Sequence, residues 1–334
     1  MECIGDIKMV SFQHAFPMFG VYAGSIVAWG SDETGIVSNI PTGNDFTAVA
    51  GGNYHALALK HDGSIVSWGS DENGVVSNTP TGNNFAAISG GYYHSLALKI
   101  DGSIIAWGYE MYGVISDTPT GNDFAAIASG YWHSLALKTD GSIVSWGYDN
   151  YNQVSDTPTG NDFIAITAGY YHSLALKKDG SIVAWGRDGY NEVSNTPTGN
   201  DFIAIASGYM HSLALKTDGS IVSWGWDVYG QVSDTPSGND FTNIAGGYMN
   251  SLALKTDGSI VSWGWDYFNQ VTDTPTGNNF TNIAGGAFHL LALKTDGSIV
   301  SWGYNEYNQV SNTPEGNDFV VIAGGHWYSL ALRI

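Results

Sequence analysis

Histidine recurs at one position of this sequence, and a ring of imidazoles is a candidate metal site. The histidines at this position are His55, His94, His133, His172, His211 and His289. Asn250 and Tyr328 occupy the same position in two further copies. Both keep a hydrogen-bonding group but would spoil a repeated metal site. We therefore interpret the histidines as structural residues that bond to loop backbone, and we predict no metal site.

Carboxylates are the other candidate chemical groups. Loops 71–74 and 149–152 are rich in Asp and Asn, as calcium loops are, but no bidentate Glu follows them. A catalytic pair needs one asymmetric pocket, whereas these acids recur from copy to copy. The sequence also lacks a glycine-rich phosphate loop, a His-Glu-x-x-His motif and a nucleophile elbow. We therefore predict that the protein is not an enzyme and has no catalytic residues and no cofactor.

These residues are positioned by a repeat of 39 residues that has no insertion or deletion. A fixed period of this size is typical of solenoids, propellers and other arrays. The segment GSIVSWG, or a close variant, begins at Gly24, Gly63, Gly102, Gly141, Gly180, Gly219, Gly258 and Gly297. Its tryptophan is constant, and we interpret it as core between neighbouring units in all copies: Trp29, Trp68, Trp107, Trp146, Trp185, Trp224, Trp263 and Trp302.

One repeat, residues 124–162, predicts three antiparallel strands and a very short fourth, which we name A to D. FAAIASG is short and apolar, HSLALK alternates, and Asp140-Gly141 before GSIVSWG is a strong hairpin signal. The segment at 153–155 precedes a Pro-Gly turn and is the fourth strand. Strands B and C have apolar or small residues on both faces, as in a sheet packed between two others. This pattern favours a β-propeller over a parallel β-helix, whose coils are usually shorter and lack a hairpin in every turn.

The order of the copies predicts how the ring closes. Strand C occurs eight times, and strand A begins at eight phenylalanines from Phe46 to Phe319. Because the sequence opens with strands C and D and ends with A and B, we expect residues 319–334 to pair with residues 24–40. Such closure hides the sheet edges. We predict an all-β fold: a single β-propeller of eight blades with three to four strands each over 24–334, after a degenerate segment 1–23.

Composition excludes several partners. The net charge is −20, and the chain has only 11 Lys and Arg. Since nucleic acids and anionic membranes attract basic surfaces, we expect neither as a partner, and the charge favours a monomer. Cys3 is the single cysteine, which excludes an intrachain disulfide. No signal peptide or membrane span is visible, so the compartment stays open between cytoplasm and secretion.

The pattern G-x-x-H-S-L-A-L-K-x-D-G-S-I-V-x-W-G, followed by Gly-Gln-Val at 230–232, resembles the regulator of chromosome condensation repeat. It recurs eight times over 24–334, and its short gapless form is similar to the bacterial branch that contains beta-lactamase inhibitor protein II. In that branch the resemblance implies a non-enzymatic protein-binding propeller. Eukaryotic members include a nucleotide-exchange factor for a small GTPase and chromatin-binding proteins. This chain departs from the family in exceeding the usual seven blades, in its acidity and in lacking a counterpart of the exchange-factor insertion.

Differences between the copies concentrate in two stretches: the pair of residues before the histidine position and the five residues after each Trp-Gly. In an antiparallel meander the A–B and C–D loops lie on one face of a propeller, so we expect these stretches to converge there. These stretches are rich in Tyr, Trp, Asp and Asn, and they contain one basic residue, Arg187. Antibody paratopes are likewise rich in Tyr and Asn. We predict a negative, partner-binding face formed by Tyr92, Tyr93, Tyr109, Tyr112, Tyr131, Trp132, Tyr148, Tyr151, Tyr170, Tyr171, Arg187, Tyr190, Trp226, Asp227, Tyr229, Trp265, Asp266, Tyr267, Tyr304, Tyr307 and Trp327.

Three functions fit such a face. A protein-binding scaffold whose partner has a basic or neutral surface is our first hypothesis, because the loops differ between copies. A multivalent lectin that binds glycans is the alternative, since Trp and Tyr stack on sugar rings, but a lectin would repeat one pocket in each blade. A regulator similar to a guanine-nucleotide exchange factor is the third. We expect Trp226 and Trp265, which the binding hypothesis uses most, to be exposed.

Overall fold

A computed structural model describes residues 23–334, which form eight three-stranded antiparallel sheets and no helix. Each sheet is one blade of a β-propeller, in which strand A lies nearest the axis and strand C farthest from it. The predicted all-β class and the eight blades are confirmed. Cys3 and nearly all of the predicted degenerate segment 1–23 lie outside the described residues. Nothing within residues 23–334 forms a helix that is long and apolar enough to cross a membrane.

The strands of each blade follow one another in the chain, except in the last blade, and we number the blades 1 to 8 in the order of their inner strands. The inner strands, A, are Phe46–Gly51, Phe85–Gly90, Phe124–Ser129, Phe163–Ala168, Phe202–Ser207, Phe241–Gly246, Phe280–Gly285 and Phe319–Gly324. The middle strands, B, are His55–Lys60, His94–Lys99, His133–Lys138, His172–Lys177, His211–Lys216, Asn250–Lys255, His289–Lys294 and Tyr328–Arg333. The outer strands, C, are Ile65–Gly69, Ile104–Gly108, Ile143–Gly147, Ile182–Gly186, Ile221–Gly225, Ile260–Gly264, Ile299–Gly303 and, in blade 8, Ser25–Gly30.

Blade 8 closes the ring by combining both ends of the described chain. Ser25–Gly30 pairs antiparallel with Tyr328–Arg333, which in turn pairs with Phe319–Gly324. The predicted closure is therefore confirmed. Tyr328 holds the seam between blades 8 and 1, because its hydroxyl donates to the carbonyl oxygens of Gly52, at 3.1 Å, and of His55.

The predicted fourth strand does not form: residues 153–155 and their equivalents are turns. The reason lies in the loop before them. The Asp149 carboxylate accepts the backbone N–H groups of Val154, at 2.7 Å, and of Ser155, at 2.9 Å. These donors are no longer available for a β-ladder. Each blade therefore has three strands, and the chain after strand C folds into a capped turn.

Neighbouring blades pack face to face through alternating side chains of the outer strand. Val144 and Trp146 face the preceding blade, where they join a cluster that includes Leu96. Ile143 points the other way and packs with Phe163 of the following blade. Apolar side chains on both faces of the strand were predicted from the sequence, and the alternation gives each interface its own hydrophobic cluster.

The constant tryptophans add a hydrogen bond to each interface. All eight are at most 4% exposed, and each indole N–H donates to a backbone carbonyl in the loop of the preceding blade at 2.9–3.0 Å. Trp146, for example, donates to the Val114 oxygen. Burying roughly 200 Å² of indole contributes on the order of 5 kcal/mol before entropy is subtracted. Their predicted role as inter-blade core is confirmed.

The face that carries the B–C turns, which we call the turn face, is nearly identical from blade to blade. Lys60 at the end of strand B lies 3.3 Å from the Asp45 carboxylate and 5.2 Å from the centre of the Phe46 ring. Four other blades repeat this Lys–Asp–Phe contact, and Arg333 replaces the lysine in blade 8. Pairs as exposed as these contribute less than about 1 kcal/mol each. The lysines at the ends of the middle strands therefore lie on the turn face.

We expect Tyr328→Phe to lower the free energy of unfolding by about 1–3 kcal/mol, because it removes the buried hydroxyl donor at the seam; the Gly52 carbonyl loses this donor, whereas the His55 carbonyl keeps the Gly52 N–H. Urea denaturation at neutral pH measures this. Tyr151→Phe is the matched control, since that ring lies 43% exposed on a loop, and its effect should stay within about 0.5 kcal/mol. If the two variants were equally stable, the Tyr328 hydroxyl would not stabilise the contact between blades 8 and 1.

Candidate binding face

The A–B loops and the loops after strand C lie side by side on the face opposite the turn face, which we call the loop face. In blade 1, Ser70 N–H donates to the Tyr54 carbonyl at 2.9 Å and joins the two loops. In blade 2, the rings of Tyr93 and Tyr109 lie 6.2 Å apart, although one precedes strand B and the other follows strand C. The two variable stretches therefore converge, as the sequence predicts.

Around the axis, the first residues of five consecutive variable pairs, in blades 2 to 6, form an arc of tyrosines. Their ring centres are 3.8–4.0 Å apart from one blade to the next. The arc lines a cavity of about 240 Å³ whose wall is completed by Asn53, Ala287 and His326. The members of this tyrosine arc are Tyr92, Tyr131, Tyr170, Tyr209 and Tyr248.

Sequence reasoning placed three members of the arc in the site and missed Tyr209 and Tyr248. The signal was present, because tyrosine stands two residues before the histidine position in five consecutive copies. Burial, with the neighbouring tyrosine hydroxyls, raises the pKa of Tyr92, Tyr170 and Tyr248 above the usual range. These three tyrosines are therefore neutral at pH 7, and their hydroxyls act as hydrogen-bonding groups and not as bases.

Farther from the axis, aromatic side chains form a second, longer band, which we call the aromatic crescent. It runs from blade 2 to blade 8, with neighbouring ring centres 4.5–6.2 Å apart. Arg187 bridges two parts of it, because its guanidinium carbon lies 5.6 Å from the Tyr151 ring and 5.1 Å from the Tyr190 ring. The members are Tyr93, Tyr109, Tyr112, Trp132, Tyr148, Tyr151, Tyr171, Arg187, Tyr190, Trp226, Tyr229, Trp265, Tyr267, Phe268, Phe288, Tyr304, Tyr307 and Trp327.

Exposure differs along the crescent. Tyr267 is 76% exposed, Tyr112 is 51% and Tyr229 is 43%. Trp226 and Trp265 were expected to be exposed, and this was wrong: both are half-buried. Each packs on its neighbours, as Trp265 does on Phe288 at 5.3 Å and Trp226 on Tyr229 at 5.5 Å.

Tyr304 departs furthest from expectation, because it is only 8% exposed. Its ring lies 4.5 Å from that of Phe268 in the preceding loop, and its hydroxyl donates to the Glu306 carboxylate. Val228 was not predicted and is 66% exposed beside Trp226. The most exposed rings of the crescent are thus tyrosines, and two of them, Tyr229 and Tyr267, pack on the half-buried Trp226 and Trp265.

The loop acids have a structural task that sequence reasoning missed. Asp227 accepts the N–H groups of Val232 and Ser233, both at 2.8 Å, and Asp266 caps its own loop in the same way. The second loop position holds Asp, Glu or Asn in every copy, which was the available signal. At Asp71 the bond from the Ser77 N–H holds the pKa below its usual value. Asp227 and Asp266 therefore stabilise their own loops by accepting these backbone hydrogen bonds.

The loops after strand C leave a gap in the crescent at blades 8 and 1. These two loops read Ser-Asp-Glu and carry no aromatic ring, so the rings of these blades come from the A–B loops alone, with Trp327 in blade 8 and Tyr54 in blade 1. The carboxylates of Asp32, Glu33, Asp71 and Glu72 are all exposed there. Apart from Arg187, every Lys and Arg within residues 23–334 belongs to the turn face. The loop face thus combines an aromatic crescent with an acidic sector.

The recurring histidines are fully buried and bond to the next blade. His55 Nε2 lies 2.7 Å from Ser95 Oγ, and five other histidines repeat this pairing at 2.7–2.9 Å. We expected bonds to loop backbone, and this was wrong. The glycine three residues before each histidine is constant because the imidazole ring occupies the space that a Cβ atom would need. A Cβ on Gly130 would lie 2.4 Å from His133 Cε1.

The exceptions support this pairing. Asn250 replaces histidine in blade 6, and Leu290 replaces the serine opposite it in blade 7. Tyr328 replaces histidine in blade 8, and Ala56 replaces the serine opposite it in blade 1. Both partners change together, as expected of a structural contact. Among residues 23–334 no three His, Cys, Asp or Glu side chains converge as metal ligands.

The repeat itself matches a known family. A family model described as the regulator of chromosome condensation (RCC1) repeat matches residues 46–75, 85–113, 124–153, 163–192, 202–231 and 280–309. These ranges make up more than half of the chain. The chain belongs to this family. The membership predicted from the repeat pattern is therefore confirmed.

Solved structures agree on the fold. Prp20p from Saccharomyces cerevisiae, which was described together with its binding to Gsp1p and histones, is 20% identical with a TM-score of 0.63, over 94% of this chain and 93% of that one. The receptor kinase CR4 ectodomain from Physcomitrella patens is 23% identical with a TM-score of 0.61, over 78% and 74%. Human WBSCR16 is 16% identical with a TM-score of 0.60, over 93% and 99%. Such identities indicate the fold alone. A comparison with curated proteins found no match.

We expect a double-mutant cycle at Asn250→His and Leu290→Ser to show favourable coupling of about 1–2 kcal/mol, since together they build the missing His–Ser bond. The Asn250 side-chain atoms are buried and have no hydrogen-bond partner among the described residues. Chemical denaturation of the four proteins measures the coupling. The control cycle combines Asn250→His with Ala56→Ser, which lies in another interface and should be additive. If the changes in unfolding free energy were additive in both cycles, position 250 would not pair with position 290.

Acid should destabilise the fold through these histidines. Burial lowers the pKa of His55 and His133 to about 3 and that of His94 to about 4. The unfolded chain, with a histidine pKa of about 6.5, binds protons that the folded state does not. The free energy of unfolding therefore falls as pH drops from about 6.5 towards 4, by up to about 1.4 kcal/mol per pH unit for each such histidine.

Changing His133→Asn together with Ser173→Leu copies the native pair of blades 6 and 7 and removes one buried histidine. We expect this variant to lose about 1.4 kcal/mol per pH unit from the slope of unfolding free energy between pH 4.5 and 6, as measured by urea denaturation. A slope equal to that of the wild type would contradict a neutral His133 in the folded state.

Proposed function

We propose that this protein is a non-enzymatic scaffold that binds a protein partner on its loop face. The observation that carries the proposal is the aromatic crescent, which is continuous over seven blades on one face. Its side chains differ from blade to blade, whereas the turn face repeats one Lys–Asp–Phe contact. The turn face repeats from blade to blade, and the loop face varies. Recognition of one partner with an irregular surface requires such a variable face.

The residue types of the crescent suit this role. Tyr, Trp and Arg dominate protein interfaces, because they bring a large contact area with few rotatable bonds. Here the rings already pack on one another, as Trp265 and Tyr267 do at 5.9 Å and 9°. Side chains that are held in place before binding lose little conformational entropy on binding.

The charge of the loop face favours a partner with a basic or neutral surface. Asp32, Glu33, Asp71 and Glu72 leave exposed carboxylates in the gap of the crescent. Arg187, the single base of this face among the described residues, is already engaged by Tyr151 and Tyr190. Complementary charge accelerates encounter and fixes orientation, so binding should weaken as salt is added.

The family supports the same class of function. Prp20p, a fold relative, was described with its binding to the proteins Gsp1p and histones, and also in complex with Kap60. At 20% identity this likeness supports protein binding as a class and transfers no partner. For the same reason we do not carry the exchange-factor hypothesis further.

The lectin hypothesis is less well supported by the loops. A multivalent lectin needs one sugar pocket repeated in each blade, with a free aromatic face in each. The first residue after Trp-Gly is instead Ser70 in blade 1, Arg187 in blade 4 and Trp226 in blade 5. The exposure of the crescent rings also differs from blade to blade, from 8% at Tyr304 to 76% at Tyr267.

Tyr229→Ser combined with Tyr267→Ser should weaken capture of the partner at least tenfold, because both rings are exposed members of the crescent. Quantitative affinity capture from the source organism, followed by titration of the captured protein, measures the loss. The melting temperature should stay within a few degrees of the wild type.

The matched control is Ile100→Ser, which removes a residue that is 72% exposed on the turn face. It should bind like the wild type. Loss of the partner by the Ile100 variant, with retention by the tyrosine variant, would place the interface on the other face. Strong binding to a glycan array that Tyr229 and Tyr267 control would favour the lectin.

A further inference from the structure

Four rings of the crescent follow one another across blades 5 and 6, and we call them the aromatic row. The ring centre of Trp226 lies 5.5 Å from that of Tyr229, and Tyr229 lies 6.0 Å from Trp265. Trp265 in turn lies 5.9 Å from Tyr267. Tyr267 and the neighbouring Val228 are both largely exposed. The row therefore presents accessible aromatic and apolar surface to a partner.

The tryptophans of this row keep free N–H groups. All eight constant tryptophans donate their indole N–H to a backbone carbonyl. The indole N–H groups of Trp226 and Trp265, in contrast, donate to no atom within residues 23–334, and neither nitrogen is among the buried atoms that lack a partner. The hydroxyls of Tyr229 and Tyr267 also make no hydrogen bond within the described part of the chain. The row thus offers accessible N–H and O–H donors along its length.

The carboxylate acceptors beside the row are largely occupied. Asp266 accepts the N–H groups of Val271 and Thr272 on one oxygen and the Thr272 hydroxyl on the other. One oxygen of Asp227 accepts two backbone N–H groups and the Ser233 hydroxyl. Donors are therefore free at this surface, whereas most acceptors are used. A ligand that brings acceptors and few donors matches it best.

A proline-rich segment in the polyproline II conformation is such a ligand. Proline has no backbone N–H, and the carbonyl groups of a polyproline II helix make no internal hydrogen bonds. Its apolar rings pack on aromatic side chains, and proteins that bind proline-rich peptides use aromatic-lined surfaces for this purpose. The helix rises about 3.1 Å per residue, so about six residues are long enough to contact all four rings of the row.

The charge of the loop face selects the residues beside the prolines. The loops of blades 5 and 6 hold Asp227 and Asp266 and contain no Lys or Arg, and the net charge of the chain is −20. An acidic segment would also bring acceptors, but these carboxylates repel it. A basic residue next to the prolines is attracted instead.

We propose that the aromatic row binds a proline-rich segment of the protein partner, in the polyproline II conformation and next to a basic residue. This inference rests on the proposed function and specifies what the partner presents to the crescent. The proline rings lie on the rings of the row, and backbone carbonyl groups of the segment accept the indole N–H groups of Trp226 and Trp265.

Other backbone conformations fit less well. A helix uses its own carbonyl groups internally, so it offers few acceptors to the indoles. A β-strand brings as many N–H donors as carbonyl acceptors, and the row has few free acceptors for them. A proline-rich segment alone combines free carbonyl groups, no competing donors and an apolar surface.

The test titrates synthetic peptides into the wild-type protein and follows the indole N–H signals by NMR. The probe peptide has one arginine followed by six prolines. We expect saturable binding that shifts the signals of Trp226 and Trp265 and leaves those of the constant tryptophans in place. One control peptide has alanines instead of prolines, and the other has glutamate instead of arginine. Both should bind at least about fivefold more weakly than the probe peptide.

Trp265→Phe keeps a ring in the row and removes one N–H donor, so its affinity for the probe peptide should fall about three- to tenfold. The signals of the constant tryptophans report in the same spectra that the fold is intact. Ile100→Ser on the turn face is the control and should bind as the wild type does. No saturable binding of the probe peptide, equal binding of the alanine peptide, or an unchanged affinity of the Trp265→Phe variant would overturn the inference.

Competition separates this inference from the proposed function. An excess of the probe peptide should release the captured partner from the wild-type protein. If the partner stays bound, while Tyr229→Ser with Tyr267→Ser still loses it, the proline-rich anchor is wrong and the scaffold function stands. Capture of no protein by the wild type, together with strong binding to glycans, would remove the scaffold function and this inference with it.

Discussion

The structure depends on one contact that recurs at every interface: an indole N–H of one blade donates to a backbone carbonyl in the loop of the blade before it. The tryptophan is buried by both blades, so it sets their spacing. Its acceptor, such as Val75 or Gln153, comes directly after the variable loop. Each loop is therefore fixed at its start by strand C, inside by its capping acid, and at its end by the next blade. The residues between these points can vary without loss of the fold.

Contacts between successive blades also decide what the loop face looks like. The histidines are an instructive case, because each one is satisfied by a serine of the next blade and each exception changes both partners. The tyrosine arc arises in the same way, from rings that are one repeat apart in sequence and adjacent in the ring of blades. The aromatic crescent combines such contacts between blades with contacts inside one loop, as between Trp226 and Tyr229. The buried histidines are thus part of the scaffold, and the aromatic rings are its variable surface.

Much of the fold could be predicted from the sequence, because the period, the Asp-Gly hairpins and the order of strands are local signals repeated eight times. The site was less predictable. Tyr304 was expected to contact a partner and is buried, since it packs on Phe268 of another repeat. Asp227 was expected to contact a partner and caps its loop. Tyr248 was missed as a wall of the axial cavity. The positions of Tyr304 and Tyr248 depend on how neighbouring blades are rotated against one another, which no single repeat encodes. The Asp227 cap is local, and its signal was the Asp, Glu or Asn at the second position of every loop.

The scaffold repeats from blade to blade while one face varies, and the central claim is that a partner is held by the crescent on that face. Hydroxyl-radical footprinting of the protein with and without its captured partner tests this most directly, because tyrosine and tryptophan report strongly and are concentrated on the loop face. The account predicts protection of Tyr112, Tyr229 and Tyr267, with Ile100 on the turn face unchanged. Protection of Ile100 with the three tyrosines fully reactive would contradict it.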